Sequence, residues 1–334
     1  MAQPPLLDVK DLWVEFKRPG GIVHAVNGVS FALQPGESLG IVGESGSGKS
    51  VTLLAILGLI ARNGRVVRGQ ALLDGDDLLQ MSADELRQVR GRDVGVIFQD
   101  PMTSLNPIMR IGEQITEAML VRKLYSPAEA RQRAIDLLRR VGIPEPEQRF
   151  NDYPFQFSGG MRQRVMIAIA LALNPKLLIA DEPTTALDVT VQAQVLKLID
   201  RLRREMGMAM VIITHDFGVA TNYCDRILVM YAGKIMESAS VEQLVTRTAH
   251  PYSLGLLEST MEIGHGKRPI QPIPGTPPSA MSIPPGCPFA PRCRFATARC
   301  VEETPVLREV EPGHLAFCHY AEEVMRHVVE QVSV

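Results

Sequence analysis

Long apolar runs are missing from this chain of 334 residues. The longest, residues 51–61 (VTLLAILGLIA), is about half of the ~20 residues a helix needs to cross a bilayer, so no membrane span is expected. A net charge is missing too: 35 Lys and Arg stand against 37 Asp and Glu, which gives no global attraction to nucleic acid. The start, MAQPPLLDVKDLWVEF, lacks the basic segment, apolar core and small-residue cleavage site of a secretory leader, and a cytosolic chain is the simplest expectation. No internal repeat is present. Close CxxC pairs, the usual spacing of structural zinc sites, are absent although there are five cysteines.

What is present begins with 46% hydrophobic residues, enough for a packed core, in a length that suits two domains or one domain with an appendage. Residues 43–50 read GESGSGKS, a complete GxxxxGKS/T phosphate-binding pattern. Residues 37–42 (ESLGIV) read as a buried strand before it, and residues 51–61 as an apolar helix after it. Gly43, Glu44, Ser45, Gly46, Ser47, Gly48, Lys49 and Ser50 are therefore candidate nucleotide contacts. The glycines let successive N–H groups face phosphate oxygens, Lys49 would reach the β and γ phosphates, and the Ser50 hydroxyl would sit on Mg²⁺.

Residues 6–42 alternate apolar and polar and read as antiparallel strands. Residues 94–98 (VGVIF) form another strand candidate, ending before Gln99. Residues 101–172 turn helical, and strand-like runs return at 177–180 (LLIA) and 210–213 (MVII) around a helix over 191–206. The basic run 131–140 (RQRAIDLLRR) has helical spacing and reads as a solvated helix face. This alternation predicts an α/β fold with a mostly parallel sheet, an antiparallel β part and a helical insertion. Composition shifts near His250; eleven prolines crowd residues 269–312, so the tail is expected to be held by something other than a large core.

Two further segments carry chemistry. LLIADE, residues 177–182, delivers two acids at the end of a buried strand: Asp181 for the Mg²⁺ shell and Glu182 as the base that polarises the attacking water. FSGGMRQ, residues 157–163, offers a second anion-binding helix start at Ser158, Gly159 and Gly160. The economical account of two such starts is that the second closes on nucleotide held by another subunit.

These motifs, in this order, resemble the nucleotide-binding subunit of an ATP-binding cassette transporter over roughly residues 6–240. The resemblance implies that Gln99 senses the γ phosphate and metal, that Asp188 communicates across a dimer, and that His215 contacts the γ phosphate and steadies the water with Glu182. It also makes Phe16 the adenine-stacking aromatic, with Trp13 three residues away. FSGGMRQ departs from the common LSGGQ at Phe157 and Met161 but keeps the serine and both glycines. Together with QDPMTSLNP at 99–107, it is similar to the form in peptide importers.

HPYS at 250–253, IPGTPPS at 273–279 and GCPFAPRC at 286–293 resemble the extension of oligopeptide and dipeptide transporter ATPases. The division this implies is a nucleotide-binding domain over 1–250, with its helical part at about 101–172, and an extension over 251–334. Cys287, Cys293, Cys300 and Cys318 on wide loops suit a four-iron four-sulfur cluster. Zinc or unligated thiols are alternatives, with His314 and His319 near enough to substitute. The expected partners are two permease subunits, a second ATPase subunit and an extracytoplasmic binding protein, with the chain peripheral on the cytoplasmic face of the inner membrane. Nickel or oligosaccharide cargo, a soluble non-transport cassette ATPase and a metal or redox module are the rival expectations.

Overall fold

The computed structural model describes residues 4–185, 187–260 and 272–332, so Ala186, between the paired acids of LLIADE and Asp188, lies outside the described residues. The chain forms two compact units, one from residues 1–34, 38–80 and 213–334 and the other from 35–37 and 81–212.

In the first unit, strands Leu7–Arg18, Gly21–Leu33, Gly64–Leu73 and Asp76–Asp77 form an antiparallel sheet in which the first strand lies between the second and third. Leu7, Val9, Leu12 and Val14 turn inward on the first strand. Their alternation breaks at Asp11, whose φ of 48° marks a bulge that resets the buried face. Ser38–Val42 is buried along its whole length and pairs in parallel with Arg226–Tyr231. A strand covered on both faces must be uniformly apolar. Lys234–Ser240 continues antiparallel from Arg226–Tyr231, and His314–Ala316 and then Arg308–Glu311 extend that edge.

The C-terminal segment thus adds strands to this sheet, and it also buries side chains against it. Tyr252, Phe289, Cys300 and Phe317 share one hydrophobic cluster with Val42, Phe217, Ile227 and Tyr231. Full burial of a large apolar side chain is worth about 1.5–3 kcal/mol. The expectation that the proline-rich tail lacks a substantial core is corrected by this. Its aromatics are dispersed among prolines, and no periodicity in the sequence reveals that they face one sheet.

In the second unit, Val94–Ile97 and Leu177–Asp181 pair in parallel, and residues 209–212 of the strand Ala209–Thr214 lie beside the latter. Between residues 101 and 170 the regular elements are all helical, the longest being Pro127–Arg140. That helix starts at a capping box: Ser126 Oγ accepts from Glu129 N at 3.3 Å, and the Glu129 carboxylate accepts from Ser126 N at 2.8 Å. Ala130, Ala134, Ile135, Leu137 and Leu138 make its inner face. The basic run is a paired surface, with Arg139 on Asp136 and Glu147 and Arg140 on Glu205. No helix among the described residues is long and apolar enough to cross a membrane.

Candidate functional site

The phosphate-binding loop belongs to the first unit and joins Ser38–Val42 to the helix Lys49–Ile56. Close backbone approach dictates its glycines. A Cβ on Gly43 would stand 2.2 Å from Met230 O, and one on Gly48, at φ 101°, would stand 2.4 Å from Ala25 O. Ser45 and Gly46 are exposed at the tip. Lys49 is buried, and its Nζ donates to Gly43 O at 2.7 Å and Glu44 O at 2.9 Å, which curls the loop around the ammonium. Ser47 Oγ is buried with no hydrogen-bond partner among the described residues. A buried hydroxyl left unmatched is costly, and an incoming phosphate oxygen would match it. Ser50 follows on the helix and is half-buried.

His215 also belongs to this unit, exposed directly after strand Ala209–Thr214. It is fixed at a tight strand-to-helix junction: Thr214 Oγ1 accepts from Asp216 N at 3.0 Å, and Asp216 Oδ1 accepts from Val219 N at 3.2 Å. Phe16 is half-buried on its strand, with its ring over Gly64, where an added Cβ would meet the ring at 2.5 Å. Trp13 is pinned through Nε1, which donates to Asp11 Oδ1 at 2.7 Å.

The acids belong to the second unit. Asp181 ends strand Leu177–Asp181, and Glu182 follows at φ 44°, a left-handed conformation that costs a non-glycine residue about 1 kcal/mol or more. The turn aims its carboxylate: Oε2 accepts from Gln99 Nε2 at 3.1 Å and from Thr185 Oγ1 at 3.0 Å. Gln99 and Glu182 are thus brought together across 83 residues of sequence.

Ser158 caps helix Gly159–Ala170, its Oγ accepting from Met161 N at 3.3 Å, and Phe157 fills core beside it. Ser158 and Gly159 are exposed, while Gly160 packs so closely on the next helix that a Cβ would lie 2.9 Å from Val191 Cγ1. Asp188 caps that helix, Val189–Met206, accepting from Val191 N at 3.0 Å. Gln163, within FSGGMRQ but given no role from the sequence, is buried, and its Nε2 donates to Pro183 O at 2.7 Å. That bond ties the signature helix to the turn after Glu182. Its only advance signal is a polar residue on the inward side of an apolar helix.

Cys287, Cys293, Cys300 and Cys318 all line one cavity of about 20 Å³ in the first unit, together with Phe289, Phe295 and His319. Burial pushes the Cys293 thiol up to about 11 and the Cys318 thiol up to about 12, with Cys287 also raised. Among the described residues no three Cys, His, Asp or Glu form a group that could hold a metal ion, and the cavity has room for about one water molecule. The Nε2 atoms of the two histidines are engaged by other groups: His314 Nε2 pairs with Glu237 Oε1 at 2.7 Å, and His319 Nε2 meets Glu303 O at 3.0 Å. HPYS is built into the core. Burial pushes His250 down to about 3, and its neutral Nδ1 accepts from Tyr252 N at 3.0 Å.

Comparison with known proteins agrees with this architecture. Residues 26–185 match the model of the ABC transporter family, and residues 236–300 match that of the oligopeptide/dipeptide transporter C-terminal region. The oligopeptide transport ATP-binding protein OppD of Haemophilus influenzae is 50% identical over 96% of this chain and 98% of its own length. The dipeptide transport ATP-binding protein DppD of Lactococcus lactis is 48% identical over 95% and 91%. A solved dimeric structure of the ATP-binding cassette MJ0796, in a post-hydrolysis state bound to ADP and Pi, is 31% identical with a TM-score of 0.63, covering 70% of this chain and 98% of that one. The phosphate loop, the paired acids, the capped signature helix and near-complete alignment with such relatives place this chain in the ATP-binding cassette transporter family, among members that carry the oligopeptide/dipeptide transporter C-terminal region.

Proposed function

We propose that this chain binds and hydrolyses ATP to energise import of di- or oligopeptides, working from the cytoplasmic face of the inner membrane on two permease subunits. The observation that carries the ATP assignment is the loop itself: a buried Lys49 curling the backbone, and Ser47 Oγ left unmatched, in a chain whose relatives are named peptide-transport ATP-binding proteins. ATP work is assigned to residues 1–250, with the helical part at about 101–172 meeting the permeases, and an accessory role to 251–334.

Loop N–H groups, Lys49 and Ser47 would bind the β and γ phosphates, with Phe16 against adenine. Ser50, Asp181 and Gln99 offer the hard oxygen donors that suit Mg²⁺, which neutralises phosphate charge when bound. Glu182 takes a proton from water, the water oxygen bonds to the γ phosphorus, and the bond from that phosphorus to the bridging oxygen breaks to leave ADP. His215 steadies the water. Ser158, Gly159, Gly160 and Asp188 serve nucleotide held by a second ATPase subunit, a paralogue; the exposure of Ser158 and Gly159 supports this role. An extracytoplasmic binding protein delivers cargo to the permeases.

Reconstitution of the chain with its permeases and partner ATPase into vesicles tests the assignment. Uptake of peptide is expected only with ATP on this chain's side. Uptake of nickel or an oligosaccharide, with none of peptide, would refute the cargo.

The four thiols extend the proposal to a four-iron four-sulfur cluster, supported by donor number and by their convergence on one cavity from four separate places in the sequence. Their raised affinity for protons means that ligation must release them. Protein purified without oxygen is expected to be brown, with iron and acid-labile sulfide near four each per chain by the cluster's own stoichiometry. A colourless, zinc-loaded or metal-free protein rules the cluster out.

A further inference from the structure

Arg292 lies in the short turn Ala290–Arg292 of the C-terminal extension, next to Cys293, yet its guanidinium ends on the phosphate loop. Nη1 donates to Glu44 Oε2 at 2.7 Å and Nη2 donates to Glu44 Oε1 at 2.9 Å, a two-pronged pair. Its Nε donates to Pro274 O at 2.8 Å, and Nη1 also reaches the Tyr231 hydroxyl at 3.2 Å. The arginine side chain is 5% exposed and the glutamate 26%. The same loop residue is held a second time: Glu44 N donates to the Tyr252 hydroxyl at 2.9 Å. Both the charge and the peptide N–H of Glu44 are thus taken up by groups 248 and 208 residues further along the chain.

A carboxylate in a loop that receives a polyphosphate opposes binding, because like charges repel most strongly where solvent is thin. A planar guanidinium cancels that charge and fixes the carboxylate's direction in a way that a point-charge ammonium does not.

We propose that Arg292 is a positioning residue for ATP binding, which neutralises Glu44 and holds its carboxylate away from the nucleotide phosphates, so that the C-terminal extension is a working part of the phosphate loop. The inference rests on the ATP assignment above and deepens it.

The test measures equilibrium binding of Mg-ATP to the intact, folded chain carrying Glu182→Gln, so that nucleotide is not consumed, and the KM for ATP in the chain with Glu182 intact. Arg292→Ala is expected to weaken Mg-ATP binding about tenfold, with the loss falling on KM more than on kcat. Adding Glu44→Gln to Arg292→Ala removes the unpaired charge and is expected to recover most of that affinity. Should Arg292→Ala fail to fold, Arg292→Lys, which keeps the charge but loses the fork, is expected to bind about threefold more weakly. Unchanged affinity in a folded Arg292 variant overturns the inference alone, as does a double variant no better than Arg292→Ala. A parent chain that binds no Mg-ATP overturns the ATP assignment and the inference with it.

Discussion

Glu182→Gln is expected to reduce ATP turnover by about a thousandfold or more while Mg-ATP remains bound, because general-base and water-orienting contributions in phosphoryl transfer are of that order. The amide copies the shape of the carboxylate. It can still accept from Gln99 and Thr185 through its oxygen, so the turn held at φ 44° need not move. What it cannot do is accept a proton from water at neutral pH. Single-turnover hydrolysis measured beside nucleotide binding separates the two effects. Turnover within tenfold of the parent would remove Glu182 from the role of base and leave Gln99 and His215 without a group to orient.

Lys49→Ala is expected to act one step earlier, on binding. The parent ammonium is already buried and held by two loop carbonyls, so its position is prepaid and little ordering cost remains when phosphate arrives. Losing charge-assisted bonds to phosphate, and the tether that curls the loop, should weaken Mg-ATP binding about a hundredfold, near 3 kcal/mol. Equilibrium dialysis at fixed ionic strength reads this directly. An affinity within twofold of the parent would mean that the loop binds phosphate through its backbone alone. The contrast between the two variants is itself informative: one should bind and stall, the other should fail to load.

The site was legible wherever its chemistry is carried by contiguous residues. GESGSGKS, LLIADE and FSGGMRQ each prescribe a local geometry, because tight turns, strand ends and helix starts are set by neighbours a few positions apart. The expected strands at 6–42 appear as Leu7–Arg18, Gly21–Leu33 and Ser38–Val42, and the helix expected over 191–206 appears as Val189–Met206. The helix expected over 51–61 runs instead from Lys49 to Ile56. Its apolar continuation is buried at Leu57 without being helical, since burial and helicity demand the same residues there. Strand Gly64–Leu73 escaped notice because its exposed positions carry Arg65 and Arg68, paired with Glu15 and Asp11 across the sheet. Charges at such positions hide the apolar alternation that marks a strand.

The amino-acid sequence by itself determined where a glycine-rich phosphate-binding loop joins strand to helix, that two acids close a buried strand, and which helix start carries the serine and glycines. Short-range sterics and hydrogen bonding enforce those features within each motif. Only the tertiary structure decided that Gln163 would brace the turn after Glu182, that four scattered cysteines would face one cavity, and that Tyr252 and Arg292 would grip Glu44. The cysteine and Glu44 contacts form because Phe289, Phe317 and Tyr252 bury themselves against the sheet and carry their polar neighbours with them. Hydrophobic burial has no direction of its own, so the partners it delivers across two hundred residues cannot be read from the spacing of any motif.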